Sequence, residues 1–270
     1  MRTLCAILQY DGTDFHGFQV QPGLPTVQEA VETKLCRVLE AGGRGGRTPC
    51  SGGQGGAGPV PGIRVAAAGR TDAGVHASGQ VISFKTEARI PTERLAIALN
   101  SLPPYTVIIK EVREVQEGFH ARFSATSRSY QYVLLRGAPS PFLRRYATWV
   151  PDLRHVDRMR AALPYMTGQH DFTSFCAAGA EAPTRARVPG VRTVLGARLL
   201  ERGRLVLFRI TADGFLQQMV RTIVGTLLEV ERGKREPEEI AAILAGRDRR
   251  LAGPTAPAHG LCFTRATYEE

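Results

Sequence analysis

The chain has 270 residues, 43% of them hydrophobic and 22% charged, which is enough to bury a substantial core. Its formal net charge of +10, with a pI near 9.8, exceeds what solubility requires and points to a polyanionic partner. No run approaches the length of a membrane span, the first apolar run is too short for a signal peptide, and five scattered cysteines without a C-x-x-C pair indicate neither a disulfide framework nor a zinc site, so a cytoplasmic protein is expected.

In chain order, residues 3–10 (TLCAILQY) read as a buried strand. The stretch PTVQEAVETKLCRVLE then predicts a helix, with Thr26 as N-cap, Glu29 completing a capping box, and Val27, Ala30, Val31, Leu35, Val38 and Leu39 on one stripe. Ten glycines between Gly42 and Gly62 cannot repay their ordering entropy, so this stretch reads as a surface insert. Its GQGGAG matches a dinucleotide fingerprint by letter, but it follows no strand and leads into Pro59 and Pro61 rather than a helix, which excludes nucleotide binding there. Strands near 63–68 and 79–85, a helix from about Thr92 to Ser101 and the strand YTVIIKEV complete a β-α-β-β-α-β order.

The order repeats. SYQYVLL (129–135) is followed by a helix near 155–166, a hairpin of residues 191–200 and 205–212 turning at Arg202-Gly203, a helix from about Phe215 to Glu231 and a closing strand CFTRATY. An extra helix spans Pro237–Ala245, with Gly246 at its end. The expected architecture is α+β: two tandem ferredoxin-like halves, residues 1–105 and 106–270, their sheets joined into one large, mostly antiparallel sheet with a cleft at the seam.

Four features carry candidate chemistry. Between two strands, AAGRTDAGVHA sets Arg70 and Asp72 beside a Gly-Val-His; Asp followed by Ala-Gly is also ordinary turn chemistry, with the carboxylate capping nearby N–H groups. Arg221 sits at the edge of the stripe Val220, Ile223, Val224, Leu227 and Leu228, where it either pairs its charge or snorkels to water. Tyr130 and Tyr132 share a strand face after Arg122 and Arg128, which suits either unpaired bases or a core. Six dispersed histidines without H-x-x-x-H and no G-x-S-x-G elbow leave metal catalysis and serine hydrolysis without support.

Together, YDGTDFHGFQVQP, GRTDAGVHA, FHARFSATSRSYQY, QQMVRTIVGTLLEV and PTAPAHGL resemble the TruA family of tRNA pseudouridine synthases, in order over nearly the whole chain. The resemblance implies cleavage of the N1–C1′ bond of a uridine, rotation of the uracil and rejoining through C5, without redox change or cofactor. It makes Asp72 the catalytic aspartate, acting at C1′, at C6 or on the C2′ proton. Arg221 becomes its basic partner, and Tyr130 the tyrosine that stacks on the uracil and handles the C5 proton. Arg70 would hold the extruded nucleotide and Leu261 would pack on the base. The implied substrate is the anticodon stem-loop of tRNA at positions 38, 39 and 40, bound by a homodimer.

Two other classes fit less well. An RNA-recognition module would show an RNP1-like pattern on a central strand, and a metal-dependent nuclease would show clustered carboxylates.

Overall fold

A computed structural model of the chain describes residues 1–41, 62–177 and 190–269. The stretch read as a Gly-rich insert, about 42–62, lies outside the described residues except for Gly62. The elements are β1 (Arg2–Tyr10), α1 (Val27–Ala41), β2 (Ala66–Ala67), β3 (His76–Thr86), α2 (Thr92–Asn100), β4 (Val107–Val115) and β5 (Ala125–Leu135). They continue with β6 (Thr148–Trp149), α3 (Val156–Ala162), β7 (Gly168–Asp171), β8 (Val191–Arg202), β9 (Leu205–Ala212), α4 (Met219–Glu231), α5 (Glu239–Gly246) and β10 (Leu261–Tyr268). The fold is α+β and its strands are mostly antiparallel, in the orders β4-β1-β3-β10, with β2 beside β3, and β5-β9-β8-β7, with β6 parallel to β5.

The chain divides into two compact units, Met1–Thr126 with Phe263–Glu270, and Ser127–Cys262. The first extends beyond residue 105 because β4 is hydrogen-bonded along β1, from Thr3 opposite Val115 to Tyr10 opposite Val107.

In the first unit the order β4-β1-β3-β2, antiparallel at each step, is that of a split β-α-β unit. Leu4, Cys5, Ala6 and Leu8 of β1 are all buried, as a strand covered on both faces requires. The α1 stripe of Val27, Val31 and Leu35 is buried, and Thr26 Oγ1 accepts the Glu29 N–H at 3.4 Å. Asn100, at the end of α2, exchanges two 2.8 Å hydrogen bonds with the Ile109 main chain, fixing that helix to β4.

In the second unit the predicted hairpin forms, with Gly203 at φ +57° in its turn. Helix α4 starts at Met219 rather than near Phe215 because Gln218 takes the left-handed conformation, φ 61°, ahead of the first helical residue. It is buried nearly all round, so it lies inside the unit rather than on one face of it. Glu231, at its end, accepts the Arg154 and His155 N–H groups at 2.8 and 3.0 Å, placing a carboxylate at the N-terminus of α3. The short strands β6 and β7 carry too few residues for a periodicity signal. Cys5, Cys176 and Cys262 take part in no disulfide.

Candidate active site

Asp72 lies half-buried in the loop between β2 and β3. The Val75 N–H donates to its main-chain carbonyl at 3.1 Å, and Gly74 sits between them at φ +75°, so the tight turn is closed by the backbone and by glycine. Four further contacts hold the loop: the Gln80 side-chain amide donates to the Gly69 carbonyl at 2.8 Å, Thr71 Oγ1 bonds the Tyr10 hydroxyl at 2.8 Å, Phe18 N–H donates to the Thr71 carbonyl at 3.0 Å, and Gly74 N–H donates to the Phe15 carbonyl at 3.2 Å. The partners come from β1, from β3 and from the stretch after β1.

That stretch, DGTDFHGF, is built for close approach. A Cβ on Gly12 would stand 2.0 Å from the Val75 carbonyl oxygen, and one on Gly17, at φ +96°, would stand 2.9 Å from that of Thr71. The Gly17 and Phe18 carbonyls accept Val27 and Gln28 N–H groups at 3.2 and 2.8 Å, satisfying orphan donors at the start of α1. Two motifs that are 60 residues apart in sequence thus form one rigid layer around Asp72.

Arg70 is exposed on the same loop. Partial withdrawal from water, with the Arg122 guanidinium as second cause, holds its pKa below the usual arginine value. Arg122 also lies over the exposed Phe123 ring, 5.6 Å from its centroid.

The second unit carries Tyr130, Arg221 and Leu261. Tyr130 stands opposite Ile210 of β9, is 8% exposed and meets the Phe215 ring edge-on at 5.0 Å. Arg221 is half-buried in the first turn of α4, and its Nε donates to the Ala256 carbonyl at 2.8 Å. Leu261, 5% exposed, opens β10 just after a turn at Ala258–Gly260.

The loop 252–260, which joins Arg221 to Leu261, is clamped from two sides. On α4, Gly225 and Thr226 meet it so closely that a Cβ on Gly225 would fall 1.6 Å from the Pro254 oxygen, while Gly253 N–H donates to Thr226 Oγ1 at 2.9 Å. On β5, the Tyr132 hydroxyl donates to the Pro257 carbonyl at 2.8 Å and accepts from Thr148 at 2.6 Å, and a Cβ on Gly260 would strike the Tyr132 ring at 2.6 Å. Burial pushes the Tyr132 pKa up to about 12, against smaller opposing effects of the Thr148 hydrogen bond and the Arg221 charge. The two tyrosines sharing a strand face therefore differ: Tyr132 is a fully buried structural tyrosine, and sequence reasoning gave it no role of its own. Its signal was the glycine at 260, a residue chosen where an aromatic ring comes too near for a side chain.

Among the described residues no group of three His, Cys, Asp or Glu side chains is placed to hold a metal ion, and no helix is long and apolar enough to cross a membrane.

A family profile described as tRNA pseudouridine synthase matches residues 6–124 and 162–269. The chain is 43% identical over 265 residues to tRNA pseudouridine synthase A of Geobacillus kaustophilus, covering 98% of this chain and 93% of the relative. It is 44% identical over 271 residues to the protein of the same name from Moorella thermoacetica, covering 99% and 100%. Against the solved archaeal box H/ACA sRNP Nop10-Cbf5 complex the TM-score is 0.34 at 15% identity, over 94% of this chain and 48% of that one. By the profile and the full-length relatives, the chain belongs to the tRNA pseudouridine synthase family, isomerases that convert uridine to pseudouridine in tRNA.

Proposed function

We propose that this protein converts uridine to pseudouridine at positions 38, 39 and 40 of the tRNA anticodon stem-loop, with Asp72 as the catalytic carboxylate. The observation that carries the reading is the Asp72 loop: an acidic side chain on a backbone pinned from β1, β3 and the segment 12–18, with the exposed Arg70 on the same loop. A fixed carboxylate suits every route by which the N1–C1′ bond is broken and the C5–C1′ bond made, with C5 giving up a proton and N1 gaining one. Arg70 holds the extruded nucleotide. Arg221 is the basic partner of the carboxylate, Tyr130 stacks on the uracil and handles the C5 proton, and Leu261 packs against the base. The protein works as a cytoplasmic homodimer and needs no cofactor.

The direct test is incubation of purified protein with unmodified tRNA transcript in buffer alone, followed by mapping of pseudouridine at single-nucleotide resolution. Product confined to positions 38–40, and abolished by Asp72→Ala, is the expected result; product elsewhere, or none, overturns the assignment.

A further inference from the structure

From Phe119 to Pro151 the chain carries five arginines and not one acidic residue. The later part of this stretch, Arg136–Trp149, lies in the second unit and departs from the burial expected of a soluble surface. Phe142 is 87% exposed, Trp149 51% and Tyr146 45%, with Arg144 and Arg145 exposed between them.

The segment is held in place. The Trp149 indole N–H donates to the Gly137 carbonyl at 2.7 Å, and Arg204 donates to the Ala138 carbonyl at 2.7 Å. Arg136 reaches the Gly203 carbonyl and the Glu201 carboxylate, both at 2.8 Å. A helical turn is closed by Leu143 N–H to Ser140 and Ala147 N–H to Leu143, with Ala147 buried beneath it. Such a surface has met most of its ordering cost before any partner arrives.

We propose that the segment Arg136–Trp149 is a tRNA-contact surface separate from the catalytic loop, where an unpaired base stacks on Phe142 or Trp149 and the flanking phosphates lie on Arg144 and Arg145. The proposal rests on the tRNA-modifying reading above. Charge selects the partner: exposed aromatics in a stretch of sequence with five arginines and no acidic residue suit a polyanion with π-faces. Stacking tolerates any base, as recognition by shape requires.

Trp149 is the only tryptophan of the chain, so its fluorescence reports on this surface alone. Titration with unmodified tRNA transcript is expected to quench it saturably, while heparin, a polyanion without bases, leaves it unchanged. Phe142→Ala, at so exposed a position, is expected to weaken tRNA binding about tenfold and leave the melting temperature and the turnover at saturating tRNA unaltered. Three results overturn the proposal: an unchanged Trp149 signal while an electrophoretic shift shows tRNA bound; an unaltered affinity in the Phe142 variant; or a variant that sediments as a smaller species, which assigns the surface to a second copy of the chain. Pseudouridine is mapped in the same samples. Product with a silent tryptophan defeats this surface alone, whereas absence of product from every transcript defeats the functional reading first.

Discussion

Arg221 and Ala256 hold each other at both ends: the Arg221 Nε donates to the Ala256 carbonyl at 2.8 Å, and the Ala256 N–H donates to the Arg221 carbonyl at 3.1 Å. With Nε committed, the planar guanidinium has its two terminal nitrogens aimed by the loop rather than by a free side chain. Arg221→Lys keeps the charge and loses the fork. Single-turnover assays are expected to show a rate about a hundredfold lower with tRNA affinity within about twofold of the parent. A lysine variant of near-parental rate would show that charge alone suffices.

The same loop depends on a protonated tyrosine. Tyr132 is raised by burial from an ordinary value near 10 to about 12, so the folded state holds this proton more tightly than the unfolded chain. The stabilisation is complete below pH 10 and is lost as pH climbs towards 12, about 2–3 kcal/mol in all. Thermal unfolding followed from pH 8 to 11.5 is expected to fall more steeply for the parent than for Tyr132→Phe, which has no proton to lose. Parallel curves would remove this link.

Gly17→Ala puts a methyl group 2.9 Å from the Thr71 carbonyl oxygen at a backbone conformation, φ +96°, that alanine resists. The relief available is movement of the loop that carries Asp72. Pseudouridine formation is expected to drop about a hundredfold while circular dichroism and tRNA binding stay close to the parent. Equal loss of binding and rate would instead indicate general unfolding of the first unit.

Asp72→Asn separates the two readings of the aspartate. The turn it opens is closed by its main-chain carbonyl and by Gly74, both of which survive the change, so the loop backbone is expected to hold and the circular dichroism to match the parent. Chemistry that needs an ionised carboxylate is expected to vanish. Asp72→Ala run alongside excludes deamidation as a source of residual product.

With a formal charge of +10, binding of tRNA is expected to weaken steeply with salt, log K against log[salt] falling with a slope of about −3 to −6. A slope near zero would refer affinity to stacking and shape alone.

The amphipathic stripe of α1, its Thr26 cap and the β8–β9 hairpin were legible because each is written in a local period or turn signal. Asp72 and Arg70 stood out by residue type and spacing, and both fall on one pinned loop. Arg221 was legible as an oddity at the edge of an apolar stripe, yet its link to Ala256 joins residues 35 positions apart and leaves no local trace. Nor could periodicity distinguish Tyr130 from Tyr132, since both point to one face and only the approach of Gly260 and Pro257 makes the second a structural clamp. The left-handed Gln218 that delays α4 runs against the preference of its residue type, so no local signal marks it.

Strand β10 returns to the first unit more than a hundred residues after β4: Tyr268 donates to the Ala121 carbonyl at 2.9 Å, its ring meets Phe119 at 5.0 Å, and Gly79 leaves room for the Thr264 carbonyl. On the ribosome, therefore, β3 waits with an open edge while the whole of residues 127–262 is synthesised. The half that bears Asp72 is translated first and completed last. A nascent chain stalled before Phe263 holds the Asp72 loop without its finished sheet.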